Sequence, residues 1–404
     1  MNTETRPPPP GALFACVLAS ITAIAPLALH MFFPAVPDVK AHFGVDEATA
    51  ELTLSVPLFT MAFMTLAYGS LSDRFGRRPV LLGAIALFVA GSLACALANS
   101  IWVLIAGRVL QAAGGAGGIG LARTIARDVY GTEKLVKVIA YLTMAYTLGP
   151  MLATPLGGLL IELSGWRALV TTAAGIGAVL ALLTWFVMYE THPTGGGGVG
   201  TRINPVRDFL TLMGNLRFAS FVLQSGFSSG AFFALASANA FLLTEYLHRP
   251  ASEYGLYFLF FPGGFIVGNF ISSRLSGRVP LEGMVAMGAT LLIVTVSTQA
   301  VVIAAGIVTP LVLFLPGLFI TFAQGLALPN SQSGAIIEAG ALAGTGAGIG
   351  VFMQMMGPAS FTQIYGLIAD GTPAPMTITV CTSAAISFAF GIIPLLTRRR
   401  ASKR

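Results

Sequence analysis

The sequence predicts an all-α membrane protein with twelve transmembrane helices in two pseudo-symmetric six-helix bundles, and composition is the first observation behind this prediction. Of the 404 residues, 55% are hydrophobic and only 9% are Asp, Glu, Lys or Arg, whereas a soluble domain carries about 25% charged residues. So few charged side chains cannot cover a soluble core of this length, but lipid can cover apolar helices directly. The composition therefore excludes a soluble globular enzyme.

The second observation is the number of apolar runs. A helix that crosses a bilayer needs about 20 apolar residues, and twelve runs of that kind are present. They cover approximately residues 12–33, 50–70, 79–98, 101–123, 137–161, 168–188, 218–243, 253–273, 281–304, 309–330, 341–366 and 376–396. The residues before the first run are proline-rich and polar and lack the features of a cleavable signal. Residues 1–11 are therefore predicted to form a disordered cytoplasmic N-terminus.

The third observation is a long polar interruption at 189–217, which contains Thr194-Gly-Gly-Gly-Gly-Val-Gly200. This composition is typical of a flexible linker. It divides the chain into bundles at 12–188 and 218–396, as in transporters built from two repeats around a midplane cavity. Arg74-Phe-Gly-Arg77 is echoed about half the chain later by Arg274-Leu-Ser-Gly-Arg278, which favours an internal duplication.

Basic residues predict the orientation, because they resist translocation and gather in cytoplasmic loops. With the N-terminus inside, only Lys40, Arg167 and Arg249 of the 22 basic residues fall outside, and Arg108 lies within a span. Both termini are thus predicted to be cytoplasmic, with a basic tail at 397–404. The basic residues form short clusters rather than one basic face, so a nucleic-acid partner is not expected.

A glycine- and arginine-rich loop joins the second and third spans, and it reads Gly69-Ser-Leu-Ser-Asp73-Arg74-Phe-Gly76-Arg77-Arg78-Pro79. Glycine permits close helix approach or a tight turn, and an aspartate can cap a helix or pair with a cation. The segment resembles the cytoplasmic loop motif of the major facilitator superfamily. The resemblance implies the major facilitator fold, a secondary transporter, and a cytoplasmic gating role for Gly69, Asp73, Arg74, Gly76, Arg77 and Arg78.

The fourth span contains Gly107-Arg108-Val-Leu-Gln111-Ala-Ala-Gly114, which resembles a second superfamily motif, although Ala112 replaces the usual glycine. A guanidinium inside a membrane helix is costly unless it faces water, a partner or a substrate. Two interpretations stay open for Arg108. It either tunes a proton site in a cavity or is a structural charge that donates to backbone carbonyls.

The fifth span contains Gly149-Pro150-Met-Leu-Ala-Thr-Pro155-Leu-Gly157-Gly158. Its prolines remove backbone donors and its glycines allow a neighbouring helix to pack closely. The segment resembles the antiporter motif of superfamily drug exporters. With Met31-Phe-Phe-Pro34-Ala-Val-Pro37 and Leu52-Thr-Leu-Ser55, it makes the chain similar to the Bcr/CflA drug-resistance subfamily.

One departure from that subfamily bears on mechanism. An acidic residue usually precedes the motif at the end of the first span, and this chain has His30 there; Glu51 replaces a common glutamine. We therefore expect His30, Glu51 and Arg108 to be the candidates for proton coupling. Acidic residues near helix ends stay open as alternative proton carriers, namely Asp38, Glu162, Glu245 and Asp370. In the alternative interpretation, His30 is only a polar residue that lines the cavity.

Other polar and aromatic residues of the spans are candidates to line a cavity. They are Gln111, Tyr146, Gln224, Phe227, Asn239, Tyr257, Phe261, Gln324 and Gln354. A pocket with many aromatic and few charged groups suits lipophilic compounds better than polyanions.

Several chemistries have no sequence signal. Neither a phosphate-binding loop nor a catalytic triad is visible, and the three cysteines show no disulfide or metal-ligand spacing. We therefore expect no enzyme, no metal and no cofactor, with a proton gradient as the energy source. The predicted partners are a small-molecule substrate, protons and the lipid bilayer, and the predicted state is a monomer.

The functional prediction is a bacterial inner-membrane antiporter that exports hydrophobic drug-like molecules in exchange for protons by alternating access. Because the first-span acid is missing, uptake or export of a natural metabolite such as a sugar or an amino acid stays open. A non-transporting membrane sensor is the third alternative.

Overall fold

A computed structural model describes residues 11–191 and 205–401, and in these ranges the chain is almost entirely helical. The α-helices are α1 (Ala12–Met31), α2 (Val36–Phe43), α3 (Glu47–Phe75), α4 (Arg77–Ala96), α5 (Ile101–Ser164), α6 (Arg167–Val187), α7 (Pro205–Gly214), α8 (Leu216–Phe241), α9 (Ala251–Phe258), α10 (Phe260–Leu275), α11 (Leu281–Ala304), α12 (Pro310–Ala339), α13 (Ala343–Ile368) and α14 (Pro373–Ala401). Short 3₁₀ turns or a π turn connect some of them.

Helix α5 carries both the fourth and the fifth predicted span, with arms at Ile101–Tyr130 and Met144–Ser164. Gly115 lies against Ala25 of α1, and Gly149 lies near Ala23 and Leu27 of the same helix. In a straight helix, these two glycines would be about 50 Å apart at 1.5 Å per residue. The helical run must therefore fold back on itself, so that its two arms form an antiparallel pair against α1.

The helices form two bundles, or halves. In the N-terminal half, α5 packs against α1, α3 and α4, and α4 packs against α6. In the C-terminal half, α8 packs against α12, α13 and α14, while α12 also packs against α10 and α11. Glycine allows backbone-to-backbone contact inside each half: Gly91 lies against the backbone of Gln111, and Gly264 against that of Leu318. The all-helical, two-bundle fold class is confirmed.

All twelve predicted spans coincide with helical segments. Eleven stretches are long and apolar enough to cross a membrane, and one of them, Pro310–Ile368, covers two predicted spans. Two boundaries differ from the predictions. Part of the predicted linker 189–217 is helix α7, and α14 continues to Ala401 into the predicted tail. The rest of the linker (192–204), residues 1–10 and 402–404 lie outside the described residues.

The alternating directions of the helices give the molecule two ends. We call the end that carries Phe14, Asp73, Glu338 and Thr397 the terminal end, and the end that carries Lys40, Glu47, Glu245 and Tyr365 the far end. The halves contact each other through α3 and α13, through α5 and α9, and through α2 and α8.

Candidate functional site

Ionisable side chains from both halves meet at the far end, where the chain enters α3. The Nζ atom of Lys40 in α2 lies 2.7 Å from Oε2 of Glu245 in the C-terminal half and 3.6 Å from Oε2 of Glu47 in its own half. The hydroxyl of Tyr365 in α13 donates to Glu47 at 2.7 Å. We call this contact surface the far-end seam. It is formed by α2 and α3 of the N-terminal half and by α8, the π turn that follows it (Leu242–Tyr246), and α13 of the C-terminal half. It combines an ion pair and a hydrogen bond that both cross between the halves.

Glu51 lies one helical turn further along α3, in the same seam. Its side chain is fully buried and accepts a hydrogen bond from the Ser237 hydroxyl of α8, while its Oε2 atom has no partner in the described part of the chain. Gly366 of α13 packs on its side chain so closely that a Cβ atom at Gly366 would meet Glu51 Cγ at 2.7 Å. A predicted proton-coupling residue is thus held between two helices of the other half.

One turn beyond Glu51, the seam continues as a neutral contact. The Ser55 hydroxyl donates to Gln363 Oε1 at 2.7 Å, and Gln363 Nε2 donates to the carbonyl of Ala48 at 3.0 Å. Successive turns of α3 therefore bind α8 and α13 through polar side chains. Only the Glu51 carboxyl among them is buried with an unpartnered oxygen.

His30 is also in contact with the C-terminal half, but through aromatic rings. The ring centroids of Phe232, Phe233 and Phe258 lie 6.3, 5.6 and 5.9 Å from that of His30, and Phe33 of its own half lies at 5.4 Å. The side chain is buried, and its Nδ1 atom has no partner among the described residues. The structure gives His30 no hydrogen bond or ion pair to Glu51 or Arg108.

Arg108 lies inside the N-terminal half. Its Nε donates to the carbonyl of Thr53 at 3.1 Å, its Nη1 donates to Gln111 Oε1 at 2.5 Å, and its guanidinium lies 4.3 Å from the centroid of the Phe32 ring. Gln111 in turn donates to Ser92 at 2.8 Å. Arg108 has no carboxylate partner in the described ranges, and its bond to Thr53 connects it to the segment of α3 that follows Glu51.

The glycines and prolines of the fifth span lie where α5 meets two other helices. A Cβ at Gly157 would clash with the backbone of Met31 in α1, and one at Gly158 would lie 2.7 Å from the Ala251 carbonyl oxygen at the start of α9. From the other side, a Cβ at Gly255 would lie 2.6 Å from Cα of Pro155. Gly149 and Pro150 lie further along α5 towards the terminal end. The motif therefore forms a backbone-level contact between the halves at the far end.

The arginine-rich loop is at the terminal end, and Arg77 is its buried centre. The Nη1 atom donates to Asp73 at 2.5 Å and to Ser72 at 2.6 Å, and Nε donates to Asp128 of α5 at 3.2 Å. Gly76, at φ +91°, adopts a backbone conformation that favours glycine. These interactions stay within the N-terminal half.

A carboxylate from outside the loop stabilises the beginning of α4. Glu190 accepts hydrogen bonds from the backbone N–H groups of Arg77 at 2.9 Å and Arg78 at 3.2 Å. A negative charge at this N-terminus interacts favourably with the helix dipole. Arg78 also donates to the carbonyl of Trp185 at 2.7 Å. Arg74 stacks on its neighbour Phe75 instead, and Gly69 is exposed, with open space where a Cβ would lie.

The predicted cavity residues fall into two groups in this conformation. Buried polar and aromatic side chains pack within the halves: Gln111 as above, Gln224 with Ser331, Asn239 and Gln324 on backbone carbonyls, and Phe261 in the aromatic core. The half-buried ones are Tyr146, Phe227, Tyr257 and Gln354. Only this second group is accessible from open space. No three His, Cys, Asp or Glu side chains of the described ranges are placed to hold a metal ion.

The sequence reasoning missed Lys40, Glu47, Glu245 and Tyr365 as members of one site. Three of them were visible as charged residues near helix ends, but each half supplies part of the set, so no spacing along the chain reveals it. Asp128 and Glu190 belong to the same half as Arg77, but they were missed because they are distant from it along the chain. Their partner Arg77 is 51 and 113 residues away.

Comparison with known proteins agrees with this architecture. A family model of the Major Facilitator Superfamily matches residues 18–362. The multidrug transporter MdfA of Yersinia pestis is 30% identical over 284 residues, which are 70% of this chain and 69% of that protein. The bicyclomycin resistance protein homolog of Haemophilus influenzae is 26% identical over 273 residues, 67% of this chain and 68% of its own.

A third relative, multidrug resistance protein D of Escherichia coli, is 31% identical over 261 residues, 60% of this chain and 64% of the relative. These three proteins confirm the resemblance to drug-resistance transporters of the Bcr/CflA type.

Solved structures support the fold. A bacterial homologue of the human lysosomal transporter Spinster, in an inward-facing and occupied conformation, aligns with a TM-score of 0.75 at 18% identity and covers 95% of this chain and 96% of its own. The xylose transporter XylE of Escherichia coli aligns with a TM-score of 0.69 at 14% identity, covering 93% and 96%. The chain is a multi-pass membrane protein that belongs to the major facilitator superfamily.

Proposed function

We propose that this protein is a proton-coupled exporter of hydrophobic, drug-like small molecules that works by alternating access. Three relatives carry names of drug-resistance or multidrug transporters, and the superfamily is one of secondary transporters. The terminal end faces the cytoplasm of a bacterial inner membrane in this proposal, in agreement with the excess of basic residues there. The closed far-end seam then corresponds to an inward-facing state.

The observation that carries the proposal is the position of Glu51. Its carboxyl group is fully buried between the halves, and the described residues place no cation within ion-pair distance of it. Burying an unpaired charge costs free energy, whereas a protonated carboxyl is neutral and can still accept a hydrogen bond. Proton occupancy at Glu51 therefore changes how well the halves pack, and this is the link that a proton-driven exchange needs.

The other predicted residues have supporting roles in this proposal. His30 is the second candidate carrier, because its free Nδ1 atom is buried next to phenylalanines of the opposite half. Arg108 holds the carbonyl of Thr53 and so positions α3 near Glu51. The exposed Asp73 and the buried Arg77 form the cytoplasmic gating loop, and Pro155 and Gly158 provide the contact on which the halves rock.

The surroundings of His30 support a lipophilic substrate. Phe232 and Phe233 are half-buried at the surface between the halves, and Phe227 and Tyr257 are partly accessible in the same half. Aromatic rings offer apolar contact area to flat or bulky hydrophobic molecules. The described residues here include no cluster of cations suited to a polyanion.

The test uses everted membrane vesicles energised by respiration, with a pH-sensitive dye reporting lumenal acidity while lipophilic drugs are added. We expect drugs to release protons from vesicles with the intact protein, and Glu51→Gln to reduce this release about tenfold or more, as expected when an essential proton-transfer group is lost. His30→Gln tests the second carrier. Glu253→Gln is the matched control, because Glu253 pairs with Arg249 four residues away at the far end outside the seam.

Two outcomes count against the proposal. If Glu51→Gln vesicles exchange protons for drug as the parent does, the coupling site is elsewhere. If no drug moves protons while the protein is present in the membrane, drug export is wrong.

The missing first-span acid, with His30 in its place, favours one second candidate: uptake or export of a natural metabolite by the same fold. Sugars and amino acids in the same dye assay separate it from drug export. A non-transporting sensor would move protons with none of these compounds.

A further inference from the structure

We infer that the far-end seam is a proton-binding site in which Glu51 takes up one proton when the far end closes, while Lys40 keeps Glu47 charged throughout. The inference rests on the proposed function, because it names where and when the coupling proton binds. Lys40, Glu47, Glu245 and Tyr365 are positioning residues in it. They decide which of the buried carboxyl groups of α3 carries the proton.

The first step of the argument is that Lys40 and Glu47 belong to the same half. Lys40 lies on α2 and Glu47 begins α3, so their 3.6 Å pair does not have to break when the halves separate. Glu245 follows α8 in the other half, so its 2.7 Å pair with Lys40 must break. Glu47 therefore has a counter-charge whether the far end is open or closed.

The second step is that Glu51 has no such companion. With the seam closed, it has the Ser237 hydroxyl and an unpartnered Oε2 atom. With the seam open, water replaces Ser237 and can hydrate a carboxylate. Closing the seam removes that water, and an ionised Glu51 would then be buried without a cation, which is strongly unfavourable. The closed seam therefore favours the protonated carboxyl, and the open seam favours the carboxylate.

The third step is that the neighbouring groups do not supply the missing charge. Around Glu51, the titratable side chains are Glu47 on α3, Glu245 after α8, Tyr254 on α9 and Tyr365 on α13. Tyr254 donates its hydroxyl to the Ala236 carbonyl, and Tyr365 donates its own to Glu47. Lys40 pairs with Glu47 and Glu245, and Arg108 donates to the carbonyl of Thr53 and to Gln111 rather than to Glu51.

The chemical balance is simple. One O–H bond forms at a Glu51 oxygen as the far end closes, and the proton comes from water on the far side. In the absence of substrate the same bond breaks when the far end reopens to water, whereas in the proposed exchange it breaks before reopening and the proton leaves towards the terminal end. No oxidant, reductant or co-reactant is needed.

The experiment measures far-end closure directly, without any transported compound. Spin labels are attached at Leu163→Cys in the N-terminal half and Ile307→Cys in the C-terminal half, both exposed at the far end, after the native Cys16, Cys95 and Cys381 are replaced by alanine. Pulsed electron resonance then gives the closed-to-open ratio of the full chain in lipid nanodiscs. For one linked proton, we expect this ratio to rise by up to about tenfold for each unit that the pH falls.

Three variants test which side chains cause the pH dependence of far-end closure. Glu51→Gln should remove the pH dependence and leave the far end mostly closed. Lys40→Gln should make the dependence steeper, because Glu47 then loses its cation and needs a second proton in the closed state. Glu253→Gln, the control at the same end, should match the parent.

The inference is wrong if the parent ratio does not change with pH, or if Glu51→Gln keeps the parent's pH dependence. Should Glu51→Gln fail to fold, Ser237→Ala replaces it: the carboxyl remains, its partner is lost, and an unchanged midpoint would also overturn the inference. Because no drug is present, the two proposals can fail separately. If far-end closure depends on pH but no drug releases protons, only the drug-export proposal is wrong. If drugs release protons but far-end closure does not depend on pH, only the inference about the seam is wrong.

Discussion

The two ends of the molecule use the same kinds of side chains for opposite purposes. At the terminal end, Arg77 binds Asp128 within the N-terminal half, and Arg217 binds Glu282 and Glu338 within the C-terminal half. At the far end, Lys40 binds Glu245 across the two halves. The ion pairs of Arg77 and Arg217 at the terminal end therefore hold each bundle together, whereas the Lys40–Glu245 pair at the far end holds the bundles against each other.

The comparison teaches which contacts a transport cycle has to break. Contacts within a half can persist while two rigid bundles rock, but contacts across the far-end seam cannot. Four predictions test this division, from the largest expected effect to the smallest.

The largest effect is expected where the backbones of the halves touch. In Gly158→Val, the new Cβ would lie 2.7 Å from the Ala251 carbonyl oxygen, and overpacking of this kind costs about 1–3 kcal/mol. We expect the closed far end to be depopulated about tenfold or more and transport to fall with it, as measured by the spin-label ratio and the vesicle assay.

Gly175→Val is the control, because a Cβ at Gly175 has open space around it. Equal effects of the two substitutions would mean that valine in a membrane helix, and not the contact between the halves, is responsible.

The second prediction concerns the clasp of the C-terminal half. Arg217 donates to Glu338 at 2.7 Å, to Glu282 at 2.9 Å and to Thr397 at 3.1 Å, so it connects four helices. Arg217→Ala should lower the free energy of unfolding by about 2 kcal/mol, between the values for surface and for buried ion pairs. Thermal unfolding in detergent measures the loss, and Arg249→Ala, at an exposed pair, should change little. A changed far-end ratio in Arg217→Ala would contradict the division between the ends.

The third prediction separates the two carboxylates that bind Arg77. The Asp128 side chain is 10% exposed and that of Asp73 is 65% exposed. Asp128→Asn should therefore cost about 1 kcal/mol and Asp73→Asn less than about half of that, because solvent weakens exposed pairs. Denaturant unfolding of both variants provides the ranking. The reverse order would show that Asp73 does more in this conformation than its exposure indicates.

The smallest effect is local and depends on pH. Asp46 caps α3, and hydrogen bonds from Thr49 lower the pKa of its carboxyl below the usual value. Because the folded pKa is the lower one, the cap stabilises the helix above the unfolded pKa and is lost as the pH falls through the folded pKa. Amide protection in the first turn of α3, which is the exchange rate of an unstructured chain divided by the observed rate at the same pH, should therefore fall at acidic pH. In Asp46→Ala this protection should be low at every pH, and a turn that stays protected would disprove the role of the cap.

The fold was predictable because each membrane span can be recognised from a short continuous segment of the sequence. Twenty apolar residues make a membrane helix wherever they occur, and the linker and the basic loops then divide and orient the spans. The loop motif and the fifth-span motif were visible for the same reason, since each is a short continuous segment. The sequence could not reveal that the connection between the fourth and fifth spans is itself helical, because polar residues are compatible with either a loop or a helix.

The seam was less predictable than the fold. Glu51 was singled out as a departure from a subfamily pattern, but its partner Ser237 is 186 residues away, in the other half. From the sequence, Lys40 was only one of the few basic residues predicted outside the cytoplasm, and its ion pair with Glu245 is visible only in the structure. Interactions between two repeats depend on how the repeats dock, and docking leaves no periodic trace along the chain.

The glycine contacts inside each half have a mechanical consequence. At Gly91 and Gly264, the backbones of neighbouring helices touch without side chains between them. Such a contact has no rotamers to rearrange, so bending a bundle there must deform the stiff polypeptide backbone itself. We therefore expect each half to move nearly as a rigid body, so that a displacement at one point of it also moves its ends. Slow motions of the molecule should for this reason be confined to the surfaces between the halves, where side chains can yield.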